Sequence, residues 1–405
     1  MGERGYAVTS SSRSLRVLVV HDYAILAGGA ERISIDIRDE LRARGHDARL
    51  FSSTARSFPL PGHADYWCYG SNGWPRPWLM MANPSAVRVL RRVLDEFNPD
   101  VVHVRMFLTQ LSPLILPLLA RRKAILHVGN HQTICPLDTK VLPDGTPCTY
   151  RAGLACFRQG CVSTAGLART VVQLSTWRRH QHVFTRIVAN SHALAETLRN
   201  DGVAVHGVVW NGTRPAPPRP PLGERPTVIF AGRLMPLKGV DVLIRAMAIV
   251  VRQIPQVRLR VVGNGPDGPR LKALVDELGL AHCVEMHAHV TRDALDELSA
   301  NAWVVAQPSR YREPFANITS ETMMRGIALV ATRTGGTPEI VRDGVNGLLV
   351  HPGDAADLAE KLIMVLGDRA LAEKMGAAGR DIALRELTTG RMVDQFEQMY
   401  QALVG

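Results

Sequence analysis

The chain predicts an α/β protein of two Rossmann-like domains, each with a parallel sheet, on three observations. At 405 residues it exceeds what one hydrophobic core ordinarily organises, so two domains follow. Between Leu15 and Phe51 it runs strand, turn, helix, strand, a unit that builds parallel pairs. A proline-rich stretch from Pro215 to Pro226 then interrupts the pattern, and the same alternation begins afresh at Thr227. The expected layout is a disordered polar start over 1–14, a first domain over 15–210, a linker over 211–226 and a second domain over 227–385.

Leu15–Val20 is an apolar run of buried-strand type, followed by a turn through Gly28 and Gly29. Apolar residues at Ile33, Ile37 and Leu41 mark a helix that stops at Gly45, and His46–Phe51 is the next strand. The Gly28-Gly29 turn is not the dinucleotide fingerprint, and no acidic residue on the second strand completes one. Residues 56–80 are loop-like, with Trp67, Trp74 and Trp78 available to stack on a sugar, touch a membrane or pack in the loop. A basic helix over Val87–Phe97 precedes strands at 99–103 and Ala124–Val128, and the latter leads into a turn from Gly129 to Pro136. Leu167–Phe184 is a further helix, Ile187–His192 a strand end, and Ser191 starts a helix to Arg199.

Cys135, Cys148, Cys156 and Cys161 lie in an insertion, 135–161, at gaps of 12, 7 and 4 residues. Ordinary zinc sites pair their cysteines as Cys-x-x-Cys, and disulfides are unusual in a cytoplasmic chain, so free thiols are expected with a metal as the alternative.

In the second domain, Thr227–Ala231 is a strand, and Arg233 and Lys238 stand five apart around a turn at a helix start. Two cations converging on a helix N-terminus suit a diphosphate, Arg as a fork and Lys as a point charge. A strand at Val257–Val262 with Gly263 and Asn264, and another at Val284–His287, come next. A strand at 302–306 leads through Pro308 and Pro314 into a helix from about Ala316 to Gly326. Glu313 sits just before that helix and Glu321 a turn inside it, so both can face one ligand. The N–H groups of Ala316, Asn317 and Ile318 point the same way. Ile327–Thr332, a strand, opens into Gly335 and Gly336, and residues 354–405 are helical.

No run approaches the roughly 20 apolar residues of a spanning helix, since Leu111–Ala120 carries two prolines. The start lacks the apolar core of a signal peptide, which points to a cytoplasmic protein. Net charge is +11, but residues 1–210 hold 25 Lys+Arg against 15 Asp+Glu and residues 211–405 hold 23 against 22. That concentration suits an anionic partner for the first domain: a lipid surface at the inner face of the membrane, a lipid-diphosphate acceptor or an acidic glycan. Arginine dominates, with only six lysines, which reads as coding bias rather than nucleic-acid binding.

Four ordered pieces carry a resemblance: Glu313 with Glu321, Gly326, Gly335-Gly336-Thr-Pro-Glu-Ile340, and Asp343-Gly-Val-Asn-Gly-Leu-Leu-Val350. Together they resemble the signature of the retaining family 4 glycosyltransferases, whose fold, GT-B, sets two Rossmann-like domains across a cleft. The resemblance implies a nucleotide-diphosphate sugar as donor substrate, no further cofactor, and a glycan or lipid-linked acceptor. It puts Glu313 on the donor sugar, Glu321 on the ribose, and Arg233 and Lys238 on the donor phosphates. Gly28, Gly29, Gly263, Asn264, Phe315, Ala316 and Asn317 line the donor, and the last helix (386–405) crosses back to the first domain. Ala316 stands where the family usually has Gly, and Thr322 where Ala is commoner. The larger departure is Gly129, at the place of the family's usual His. His131 in the loop, preferred to His127 inside the strand, takes that catalytic place. No Asp-x-Asp metal site matches, so the two cations are expected to carry the leaving-group charge. A sugar-nucleotide epimerase, a phosphorylase and a non-catalytic nucleotide-sugar binder are the rivals.

Overall fold

The structure, a computed structural model, describes residues 13–25, 29–55, 62–288 and 290–405. Gly28, most of the polar start and part of the 56–80 loop lie outside the described residues.

Two parallel sheets organise the chain. The first is built from β1 (Arg16–Val20), β2 (Asp47–Ser53), β3 (Tyr66–Cys68), β4 (Val101–Val104), β5 (Ala124–Val128), β6 (Arg186–Ala189) and β7 (Gly207–Val208). Its strand order is β3-β2-β1-β4-β5-β6-β7. The second comprises β8 (Thr227–Ala231), β9 (Arg258–Val262), β10 (Val284–His287), β11 (Val304–Gln307), β12 (Ala328–Thr332) and β13 (Leu348–Val350), in the order β10-β9-β8-β11-β12-β13. Each sheet therefore changes direction of winding once, between β1 and β4 and between β8 and β11. Ligands of open α/β sheets bind at the carboxyl ends of the strands beside such a reversal. By contacts the chain divides into two compact units, Met1–His127 with Thr176–Arg186 and Val393–Gly405, and Val128–Ser175 with Ile187–Met392.

The local rules explain the elements. Strands covered on both faces read as unbroken apolar runs, and β1, β5 and β12 are buried almost throughout. Ile33, Ile37 and Leu41, one helical face apart, bury the helix Gly29–Ala43. Asn83 caps the helix Pro84–Glu96, accepting from the Ala86 amide at 3.0 Å, with proline at its first position. That helix starts three residues ahead of the expected Val87, because the cap and the proline set the start. Within the expected 56–80 loop, Tyr66–Cys68 pairs with β2 and Arg76–Met81 is a short helix. Trp67 is part of that strand, whereas Trp74 and Trp78 are exposed. The helix expected over 167–184 runs Thr164–His180 and tightens to a 3₁₀ turn at Gln181–Val183. The proline-rich 215–226 segment has no regular structure, but it is anchored: Leu222 is in the core beside β8, and the Arg219 guanidinium donates to the Gly326 carbonyl at 2.9 Å.

In the first unit Phe396 and Tyr400, from the last helix Thr389–Val404, are fully buried. Phe396 packs on His103 and His127, with ring centroids 4.6 and 4.8 Å apart. Both faces of the second sheet carry apolar clusters, one centred on Leu243, Val261 and Leu362, the other on Met323, Leu329 and Ile382.

Candidate active site

The turn after β11 brings Glu313 back to the point where the second sheet reverses, beside the turn after β8. Glu313 is 6% exposed, and its Oε1 receives three donors: Lys238 Nζ at 2.8 Å, Gln307 Nε2 at 3.0 Å and the Ser309 hydroxyl. Oε2 has no partner among the described residues. Burial works to raise the Glu313 pKa, but the Lys238 charge and the three hydrogen bonds outweigh it, so the carboxyl lies below its usual range. It is an ionised carboxylate locked by one oxygen. Gln307 is itself fixed: its Oε1 accepts from the Thr319 hydroxyl at 3.1 Å and lies 3.5 Å from that of Thr337.

Two glycines allow this loop to lie where it does. A Cβ on Gly335, which holds a left-handed φ of +60°, would stand 2.2 Å from the Glu313 carbonyl oxygen. One on Gly336 would stand 2.4 Å from that of Pro314, and the Gly336 amide donates to the Glu313 carbonyl at 2.9 Å. The Gly335–Ile340 motif thus seats the Glu313 backbone. Its Glu339, unassigned by sequence reasoning, accepts from the amides of His192 and Ala193 at 2.9 and 2.8 Å and caps the helix His192–Asn200. The Asp343–Val350 motif is a turn: Asp343 takes the Leu349 amide and Asn346 the Arg342 amide, at 2.9 and 2.6 Å.

Lys238, last residue of the 3₁₀ turn Pro236–Lys238, also lies 5.6 Å from the centre of the Tyr311 ring. One of its three N–H groups goes to Glu313, which leaves others for a ligand. Arg233 is exposed and makes no ion pair among the described residues, while its charge acts on Asp138 and Tyr311. Lys238 thus contacts both Glu313 and the Tyr311 ring, and the Arg233 charge acts on Tyr311.

His131 departs from expectation. Instead of facing outward from its loop it is 1% exposed, and Nδ1 has no partner among the described residues. Burial, with the Lys140 and Arg312 charges adding to it, lowers its pKa to about 4 against the Asp138 bond, so the ring is neutral. Its amide donates to Asp138 Oδ1 at 2.6 Å and its carbonyl accepts from Ile134 and Cys135. Asp138, which sequence reasoning passed over, adopts a left-handed φ of 62°. Burial pushes its carboxyl up to about 7, against the His131 amide and the Arg233 charge. A carboxyl with a raised pKa thus stands within the field of Arg233. His127 is a buried strand residue bonded to Arg105.

The donor-side residues fall in two groups. Phe315 and Ala316 are buried, and Asn317 begins the helix Asn317–Arg325, which a left-handed Gly326 ends at φ 74°. Among the described residues the amides of Ala316, Asn317 and Ile318 meet no acceptor, and Glu321 is half-buried one turn along. Gly263, at φ +147°, stands so close to the turn after β8 that a Cβ would lie 1.9 Å from the Gly232 carbonyl oxygen. The neighbouring Asn264 carbonyl accepts from the Leu234 amide at 2.9 Å. Gly29 opens the helix Gly29–Ala43 in the first unit. The six cysteines are unpaired thiols, and burial raises Cys156 and Cys161, each also within the field of the other insertion thiols. Among the described residues no three His, Cys, Asp or Glu side chains form a metal-holding group.

Comparison with known proteins agrees with this arrangement. Residues 217–382 match the Glycosyl transferases group 1 family, and residues 27–217 match Glycosyltransferase Family 4. A GDP-mannose-dependent α-(1-6)-phosphatidylinositol monomannoside mannosyltransferase from Mycolicibacterium smegmatis is 36% identical over 169 residues, 40% of this chain and 44% of the relative. A D-inositol 3-phosphate glycosyltransferase from Streptomyces griseus is 37% identical over 37% of this chain and 34% of its own length. The chain thus matches less than half the length of these relatives. Among solved structures, sucrose-phosphate synthase from Thermosynechococcus elongatus shares the fold with a TM-score of 0.73 at 22% identity, covering 96% of this chain and 99% of that one. Anabaena HepE, solved in complex with UDP-glucose, does so with a TM-score of 0.69 at 21% identity, covering 96% and 100%. With the four motifs, the two reversal points and the Glu313–Lys238 pair, these matches place the chain in glycosyltransferase family 4, with the GT-B fold.

Proposed function

We propose that the protein moves a sugar from a nucleotide-diphosphate donor to an acceptor hydroxyl, with retention at the anomeric carbon, in the building of a cell-surface polysaccharide or glycolipid. The observation that carries this reading is the carboxylate of Glu313, held through Oε1 by three donors and open at Oε2, beside two cations at the reversal of the second sheet. A fixed acceptor oxygen suits the hydroxyls of a donor sugar, and a Lys and an Arg with N–H groups to spare suit its diphosphate. The amides of Ala316, Asn317 and Ile318 and the half-buried Glu321 serve the nucleotide.

In the step itself the bond from the anomeric carbon to the diphosphate oxygen breaks, with Lys238 and Arg233 taking up the charge that develops. The acceptor oxygen attacks from the same face, and its proton passes to the departing diphosphate. Charge on the leaving group is met by protein cations, so the reading calls on no cofactor. The acceptor belongs with the basic first half of the chain, at the inner face of the membrane. Relatives named as GDP-mannose-dependent and a fold relative solved with UDP-glucose make guanosine and uridine diphosphates the first candidates.

Thermal unfolding with UDP, GDP, ADP, dTDP and CMP in turn tests the donor site. One diphosphate should raise the Tm, by about 2.7 kcal/mol of stability at a hundredfold excess over Kd, and Lys238→Ala should abolish the rise. Slow hydrolysis of the matching sugar nucleotide, lost in Glu313→Ala, separates an enzyme from a binding protein. A trapped covalent glycosyl-enzyme would overturn same-face attack.

A further inference from the structure

The first sheet also reverses, between β1 and β4, and there it buries a cation that forms no ion pair among the described residues. The registers Val20↔Val104 and Val104↔Leu126 make His21, Arg105 and His127 a row across three neighbouring strand ends. Side chains at paired positions of parallel strands share a face. The Arg105 amide donates to the Val20 carbonyl at 2.9 Å, which fixes the guanidinium's root at the reversal.

Arg105 is 5% exposed and forms no ion pair among the described residues. Its Nη1 meets His127 Nδ1 at 2.6 Å, and its Nε is sealed from solvent without a partner. Nη2 has no partner among the described residues. Burial draws the Arg105 pKa down to about 9, with Glu31 and Tyr400 acting against it. Two imidazoles add unanswered nitrogens. His21 Nδ1 lies 2.6 Å from the Tyr23 carbonyl oxygen and 3.0 Å from the Tyr23 amide, and His103 Nδ1 meets the Tyr400 hydroxyl. Neither Nε2 has a partner among the described residues. The Arg105 field reaches both rings.

A buried guanidinium without an anion is costly, and buried polar atoms are nearly always answered. A water could take the spare Arg105 protons, but it would leave the guanidinium without an ion pair. The helix Gly29–Ala43, following β1 at the same reversal, adds an N-terminus that favours negative charge. We propose that Arg105, with His21 beside it, receives a phosphate or carboxylate group. On the glycosyl-transfer reading, which supplies this last step, that group belongs to the acceptor, because Lys238 and Arg233 already serve the donor diphosphate.

The test is thermal unfolding of the full chain in rising inorganic phosphate, against sodium chloride at matched ionic strength. Wild type should show a saturable rise in Tm with phosphate and none with chloride. Arg105→Met should lose the rise while unfolding no lower than wild type in its absence, since it removes a buried charge without an ion pair. Arg105→Lys, which keeps a point charge without the fork, should keep the rise with the half-saturating phosphate raised tenfold or more, and it decides the matter should the Met variant not fold. The rise should persist in saturating nucleoside diphosphate. No rise in wild type, a rise unchanged in both variants, or one erased by nucleoside diphosphate overturns the proposal. The phosphate titration needs no turnover, so failure of donor hydrolysis would sink the glycosyl-transfer reading and leave the anion site standing.

Discussion

Glu313 shows how much of a buried carboxylate's behaviour is set by what holds its other oxygen. Three donors on Oε1 keep the group ionised against burial and fix the direction of Oε2. Ser309→Ala removes one donor and leaves two. It should cost about 1.5–3 kcal/mol of stability, as for hydrogen bonds to charged groups, and lower kcat for donor hydrolysis while nucleoside diphosphate binding holds. Equal loss of kcat and of diphosphate affinity would mean that Ser309 supports the whole pocket and not the carboxylate. Glu313→Gln keeps the shape but leaves the Lys238 ammonium unpaired, and activity should fall by at least ~10²-fold. Asp138 gives a pH signature. Its folded pKa, about 7, lies above the ordinary 3.8, so the folded chain holds its proton longer than the unfolded one. Its contribution to stability is full at low pH and is lost as pH rises from about 4 to about 7. His131, depressed to about 4, works oppositely, adding stability as pH rises from about 4 to 6.5. Asp138→Asn keeps an oxygen for the His131 amide and removes the first effect. The stability of the variant relative to wild type should therefore climb across pH 4–7 in urea unfolding, and a flat difference would refute the assignment.

At the level of elements, the turns after β8 and β11 and the glycines that let them approach make the site. Gly335→Ala forces a side chain into a left-handed φ, at about 1–2 kcal/mol, and against the Glu313 carbonyl oxygen. It should lower the Tm and cut donor hydrolysis more than it cuts nucleotide binding. Alanine at Gly353, also left-handed but with nothing within 4 Å, should lower the Tm alone. The strands, the helix over 317–325 and its glycine stop were legible because each is written locally, in apolar runs, a helical period and Gly326. Motifs of fixed spacing singled out Glu313, Lys238 and Arg233 as candidates, and the structure sets Lys238 on Glu313. Gln307 and Ser309 were not legible, since their roles depend on β11 lying beside β8, a neighbour 75 residues away along the Lys238–Glu313 contact. Nor was Asp138, whose burial follows from an irregular turn in a left-handed conformation. His131 was expected open because it sits in a loop, yet that loop folds inward around its own backbone hydrogen bonds.

Charge is a property of the whole molecule, and here it is lopsided. Net charge concentrates in residues 1–210, and the same stretch exposes Trp74 at 84%, Trp78 at 61% and Tyr69 at 52%. Arg76 lies between the two tryptophans, and the next helix, Pro84–Glu96, exposes Arg88, Arg91 and Arg92. Among the described residues no helix is long and apolar enough to cross a bilayer. Amphipathic rings beside arginines suit the interface of an anionic lipid surface, where each nearby Lys or Arg adds about 1 kcal/mol. Vesicles of phosphatidylglycerol and phosphatidylcholine should therefore bind the protein at 10 mM salt, where charges reach about 30 Å, and release most of it at 1 M, where they reach about 3 Å. Trp74→Ala with Trp78→Ala should weaken binding at every salt concentration, because it removes apolar contact. Arg88→Gln with Arg91→Gln and Arg92→Gln should weaken it at low salt and leave the residual high-salt binding unchanged. Binding to neutral phosphatidylcholine as strong as to the anionic mixture would refute the electrostatic part. Binding indifferent to the tryptophans would leave those rings for a sugar, which a shift of tryptophan fluorescence by soluble glycans, absent in the double variant, would reveal.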